Sequence, residues 1–116
     1  MKRRVLFIVT SDPRTSARPA EAVRIVAGVG AWETIDAVLY LRGAAVLSLG
    51  ESAEELVDGD NFVHYLPLAA EAGRRVCVQQ NSPLLAELGE TQVSFDPVDD
   101  DELARLAANS ESVVRF

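Results

Sequence analysis

The segment that most constrains the fold is residues 5–10, a run of apolar and β-branched side chains ending in Thr10. A strand that is apolar on both faces must be covered on both faces, as central strands of parallel sheets are. Residues 34–41 and 75–79 form two more runs of this kind, and helix-like segments lie between them. This alternation predicts an α/β protein with a parallel sheet.

The remaining segments complete this pattern. We predict helices over residues 20–32, 61–72 (ended by Gly73) and 83–88 and after the acidic residues 99–102, and further strands over 91–95 and 112–116. Pro67 lies inside the second helix and should kink it or mark its true start, and Pro97 should break the fourth strand. The prediction is a three-layer α/β/α sandwich with a mainly parallel five-stranded sheet, in one domain over residues 1–116.

Composition excludes several classes of function. The net charge of −7 argues against a nucleic-acid partner, and no apolar run approaches the roughly 20 residues of a membrane span. The N-terminal apolar run is too short for a signal peptide, and one cysteine cannot form an internal disulfide, so we expect a cytoplasmic protein. The acidic residues 99–102 suit a helix start better than a metal. No phosphate-loop or dinucleotide motif is present, so we expect no cofactor.

The only cysteine, Cys77, lies in GRRVCVQQNSPLLAELG (residues 73–89), which has the pattern of a buried strand, a polar loop and a short helix. A helix N-terminus near Ser82 would lower the pKa of a nearby thiol and favour the nucleophilic thiolate. Cys77 also lies between two valines, where a cysteine often packs as a small hydrophobic residue. Both interpretations stay open.

Polar residues follow each of the first three strands, and ligands of open α/β sheets bind beyond the carboxyl ends of strands. We therefore predict a ligand-binding cleft for a small anion, formed by Ser11, Arg14, Arg18, Arg42, Gln80, Asn81 and Ser82. The alternative for each arginine is that its side chain is a solvent-exposed surface charge that binds no ligand. His64, the only histidine, is expected to pack or to face water.

Four segments carry a family resemblance: RVLFIVTSDP (4–13), EAVRIVAG (21–28), VLYLRGAAV (38–46) and SVVRF (112–116). On these segments the chain resembles the DsrE/DsrF-like proteins, which include small sulfur-relay subunits of the Tus and Dsr complexes. Relay members carry a cysteine after the third strand, ahead of a short helix that often ends in Arg-Gly. One register places Cys77 at that position and the other places Asn81 there. The residue before Gly89 is Leu88, which departs from the family pattern.

Two functions follow from the resemblance and the site residues. In the first, Cys77 is the catalytic residue and carries sulfur as a persulfide between a sulfur-donor and an acceptor protein. In the second, the chain is a non-catalytic subunit that binds a small anion or nucleotide or only completes an assembly. The resemblance, together with exposed apolar segments such as residues 44–49, also predicts a homo-oligomer.

Overall fold

A computed structural model describes residues 2–71 and 74–116. Its strands are β1 (Arg3–Val9), β2 (Ile35–Leu41), β3 (Val76–Gln79), β4 (Asp96–Val98) and β5 (Ser112–Arg115). Its α-helices are α1 (Arg18–Gly30), α2 (Asp60–Ala69) and α3 (Asp100–Ala108), and 3₁₀ segments cover Gly43–Leu49, Ala53–Glu55 and Leu85–Glu87. Among the described helices none has the length and apolar character needed to cross a bilayer.

The strands form one five-stranded sheet in the order β4-β3-β2-β1-β5, and every pairing is parallel. Connections β1-α1-β2 and β2-α2-β3 step in one direction across the sheet, and α3 carries the chain back from one edge to the other. The predicted α/β class with a parallel five-stranded sheet is confirmed.

Strand alternation sends side chains to two separate cores. Phe7, Val9, Leu39 and other front-facing residues pack with the buried sides of α1 and α2. Back-facing residues pack with Leu106 of α3, and these are Leu6, Ile8, Val38, Tyr40, Cys77 and Val98. Because α3 is the one described helix that packs on the back face, that face is less completely covered than the front. The exposed strand β5 lies at the edge of this thinly covered region.

The predicted fourth strand was placed wrongly. Residues 91–95 are irregular apart from a bridge between Gly50 and Thr91. The strand lies over Asp96–Val98 instead, with Pro97 paired to Val78. A proline is tolerated there because β4 is an edge strand, where a missing backbone N–H need not interrupt a ladder.

Two helix predictions also need correction. Helix α2 begins at Asp60 and carries Pro67 in its last turn, so the proline does not mark the start of the helix. The helix ends at Ala69, before the predicted end at residue 72, and Gly73, which was predicted to end it, lies outside the described residues. The segment predicted as helix 83–88 is a short 3₁₀ turn, Leu85–Glu87.

The apolar segment 44–49, which supported the expectation of a homo-oligomer, is not an exposed patch. It forms the 3₁₀ helix Gly43–Leu49, and Ala45, Val46 and Leu49 are fully buried in the front core. Because these three side chains already pack inside the chain, the segment does not support association with another copy.

Candidate functional site

Cys77 lies in the middle of β3 and is fully buried. Its neighbours across the sheet are Tyr40 on β2 and Asp96 on β4, and its side chain belongs to the core beneath α3. Burial raises the pKa of the thiol to about 11; Arg75 opposes this shift, whereas the carboxylate of Asp96 adds to it. The thiol is therefore held in its protonated form and away from solvent.

Strand β3 ends at Gln79, two residues beyond Cys77, and a loop begins at Gln80. Gln80 and Asn81 are exposed in this loop, which leads to the short turn at Leu85–Glu87. The turn is a single 3₁₀ segment rather than an α-helix, so it has no helix dipole of the kind expected near Ser82. The prediction that Cys77 carries sulfur stays a prediction, but the structure offers it neither solvent access nor that helix N-terminus.

The carboxyl ends of β2 and β3 are tied together by a small polar network. The backbone N–H of Gly43 donates to Oε1 of Gln79 at 2.9 Å, and Oγ of Ser82 donates to the Gly43 carbonyl at 2.9 Å. Gly43 has a φ of +59°, a left-handed conformation that glycine adopts without strain. Ser82, a predicted ligand residue, is buried and thus positions the loop. Gln79 is the second anchor of this loop.

Arg42, a predicted ligand residue, is held in place by two side-chain hydrogen bonds. Its Nη1 donates to the hydroxyl oxygen of Tyr40 at 3.0 Å and to Oδ1 of Asp100 at 3.1 Å. Contact with Asp100, and then with Tyr40, raises the pKa of the guanidinium. Arg42 is thereby held on the back face of the sheet, beside the N-terminus of α3. Sequence reasoning missed Asp100 as its partner, although the two-residue spacing of Tyr40 and Arg42 in a strand was visible.

The loop after β1 neutralises its own charge. The guanidinium of Arg14 binds Asp12, with Nη2 donating to Oδ2 at 2.8 Å, and the Arg14 backbone N–H donates to Oδ1 at 2.9 Å. The Arg14 contact lowers the pKa of Asp12. Ser11 is half-buried, and Arg18 is exposed at the first residue of α1. Arg14 and Arg42 are therefore each paired with a carboxylate of their own, Asp12 and Asp100.

A groove opens beside Arg42 on the back face, with a volume of about 470 Å³. It is lined by Ile8, Thr10, Arg42, Asp100, Leu103, Ala104, Ala107 and Arg115. Within the described part of the chain, Arg115 forms no ion pair. The β5 pattern gave no sign that Arg115 would face α3, because the pairing of β5 with β1 decides its face.

Other polar residues have structural roles. Asp36 accepts a hydrogen bond from Nε of Arg4 at 3.0 Å. Asp99 caps α3 by accepting from the backbone N–H of Glu102 at 2.8 Å, as the acidic helix start predicted. His64 is exposed on α2, with its ring edge-on to Tyr65.

The fold and the carboxyl-edge groups define an α/β protein with an all-parallel five-stranded sheet and polar residues gathered where β1, β2 and β3 end. No family model matches the chain, and a search of curated proteins finds no significant match. The crystal structure of the ychN protein from E. coli matches it with a TM-score of 0.81, covering 100% of both chains at 17% sequence identity. That protein has a DsrE-like fold, and the fold of this chain is DsrE-like.

Proposed function

We propose that this chain is a non-catalytic protein of the DsrE-like fold that binds a small anion at the carboxyl edge of its sheet, with Arg42 as the anchor. The observation that carries the proposal is the contrast between two residues. Cys77 is buried beneath α3, whereas Arg42 is held at the carboxyl edge of the sheet by Tyr40 and Asp100.

The chemistry of the site supports binding more than sulfur transfer. A relay thiolate must attack the outer sulfur of a donor persulfide and release the donor thiolate, so it must be ionised and reachable. Cys77 has a raised pKa and no exposure. Arg42 stays charged over the whole physiological range, and a guanidinium matches the oxygen atoms of sulfate-like anions and carboxylates.

The relay alternative is tested by persulfide loading. The native protein is incubated with polysulfide, and intact mass is read for an addition of about 32 Da per sulfur, the mass of one sulfur atom. We expect no addition to the native protein and addition after unfolding. Rapid native loading that disappears in Cys77→Ala would overturn the non-catalytic proposal and favour the relay.

Anion binding is tested by titration calorimetry with thiosulfate. We expect Arg42→Gln to abolish measurable binding, because it removes the charged donor at the edge. Arg24→Gln is the matched control, since Arg24 is an exposed arginine on α1 that pairs with Glu21. Equal loss in both variants would indicate a general charge effect and contradict a site at Arg42.

We further propose that the chain is a homo-oligomer, as the resemblance to the DsrE/DsrF-like proteins implies. Sedimentation equilibrium measures this directly. A mass equal to one chain at all concentrations would contradict the proposal without affecting anion binding.

A further inference from the structure

The groove beside Arg42 is assembled from four elements that only the fold brings together. Parallel pairing places Ile8 of β1 opposite Arg115 of β5, so Arg115 lies on the same back face as Ile8. The end of β2 contributes Arg42, and α3 contributes Leu103, Ala104 and Ala107 along one wall. The ends of these strands are held together, because the N–H of Arg42 donates to the Val9 carbonyl at 2.9 Å.

The groove has an apolar floor and one uncompensated positive charge. Leu103 and Ala107 of α3 pack beside Ile8 in the back core and supply apolar surface. Of the three charged lining residues, Arg42 and Asp100 form an ion pair at 3.1 Å through Nη1 of Arg42. Arg115 has no ion-pair partner among the residues that the structure describes. A positive groove is conspicuous in a chain with a net charge of −7.

We propose that this groove binds an amphipathic monoanion, a carboxylate with a short alkyl or aromatic tail. The carboxylate would lie between Arg115 and Arg42, and the tail would cover Ile8, Leu103 and Ala107. This inference rests on the proposed anion-binding function and names the class of ligand for the same edge. The volume of about 470 Å³ falls within the roughly 300–1,000 Å³ typical of small-molecule pockets.

Both parts of such a ligand are required by the physical chemistry of the groove. A small inorganic anion would leave the apolar floor in water and forgo the free energy of burying it. A neutral apolar ligand would forgo the ion pair that an anionic head can form with the exposed Arg115. Charge complementarity therefore selects a ligand with one anionic head and an apolar body.

The test uses octanoate as the probe, with octanol and acetate as matched controls that lack the charge or the tail. Binding to the ¹⁵N-labelled protein is followed by amide chemical shifts. We expect octanoate to shift the amides of Ile8, Leu103, Ala107 and Arg115 in a saturable manner with one site per chain. Octanol should bind about two- to fivefold more weakly, because it forgoes the exposed ion pair. Acetate should bind at least about fivefold more weakly, because it forgoes burial of the tail.

Three variants locate the site. Arg115→Gln should raise the dissociation constant for octanoate about two- to fivefold, the range expected for an exposed ion pair, and leave octanol binding unchanged. Ala104→Glu puts a carboxylate at an exposed position of the groove wall and should abolish octanoate binding without unfolding the protein. Arg24→Gln, on the opposite face, should bind octanoate like the unmodified chain.

Several outcomes would overturn the inference. Equal binding of octanol and octanoate, or shifts that are scattered over both faces, would mean nonspecific apolar adsorption. Thiosulfate binding that needs Arg42, without octanoate binding, would leave the proposed anion site standing and remove the amphipathic ligand. A change of oligomeric state in Ala104→Glu, with no octanoate binding to the unmodified chain, would identify the groove as an interface between copies.

Discussion

The state of Cys77 can be tested most sharply by its rate of alkylation. A pKa of about 11 leaves about one thiol in 10,000 ionised at pH 7, against about 3% for an ordinary cysteine with a pKa near 8.5. The more basic thiolate is intrinsically the better nucleophile, which recovers about 10- to 20-fold of this difference. Ionisation alone therefore predicts alkylation about 15- to 30-fold slower than for a free cysteine.

Burial should slow the reaction much further. Because the side chain of Cys77 is fully buried, a reagent reaches it only when the chain opens. If exposure requires global unfolding with a free energy of at least about 5 kcal/mol, the open fraction is about one in 5,000. The observed rate should then equal the rate in the unfolded chain multiplied by that fraction, and it should rise with urea in parallel with unfolding.

The assay compares iodoacetamide labelling of the native chain, the chain in denaturant, and an Asn81→Cys variant in a Cys77→Ala background. The introduced thiol lies in the exposed loop after β3 and serves as the positive control, so it should label at close to the rate of a free cysteine. Native labelling of Cys77 within tenfold of that control, or a midpoint below pH 8.5, would refute the argument from burial.

Further predictions concern stability. Gly59→Ala should destabilise the fold by about 1–3 kcal/mol in urea titrations, because its Cβ would collide with the backbone carbonyls of Ala53 and Glu54. Gly28→Ala, with open space around it, should stabilise α1 by about 0.5–1 kcal/mol, and similar effects in both variants would contradict the close contact at Gly59. Leu106→Ala should cost about 2–3 kcal/mol, because Leu106 is the buried anchor of α3 on the back face, and a cost below about 1 kcal/mol would mean that α3 is only loosely docked. The hydrogen bond with Glu90, and to a smaller extent the charge of Glu90, raises the pKa of Glu51. This contact therefore stabilises the fold at acid pH, and its contribution to stability is lost as the pH rises through that pKa. Glu51→Gln should therefore raise the Tm at pH 7 and leave it nearly unchanged at low pH, whereas a lower Tm at pH 7 would contradict this sign.

The sequence predicted parts of the candidate site well and others poorly. Arg42 was identified because a polar residue directly after a buried strand must lie at the sheet edge. Its partner Asp100 lies 58 residues away along the chain, and no local pattern connects the two. Arg115 was missed for the same reason, because its position depends on which strand β5 pairs with. Gln80, Asn81 and Ser82 were all expected to bind a ligand, but Ser82 is buried and, with Gln79, ties the loop to Gly43.

The sequence by itself determined the class of fold. Runs such as residues 5–10, apolar on both faces, must be buried between helices, and that requirement acts within a few residues of chain. Only the tertiary structure decided the strand order, the placement of β4 around Pro97 and the burial of Cys77. A cysteine between two valines has the same local pattern whether it faces a cleft or a helix, and it is the docking of α3 over the back face that buries Cys77 and leaves the groove beside Arg42 open.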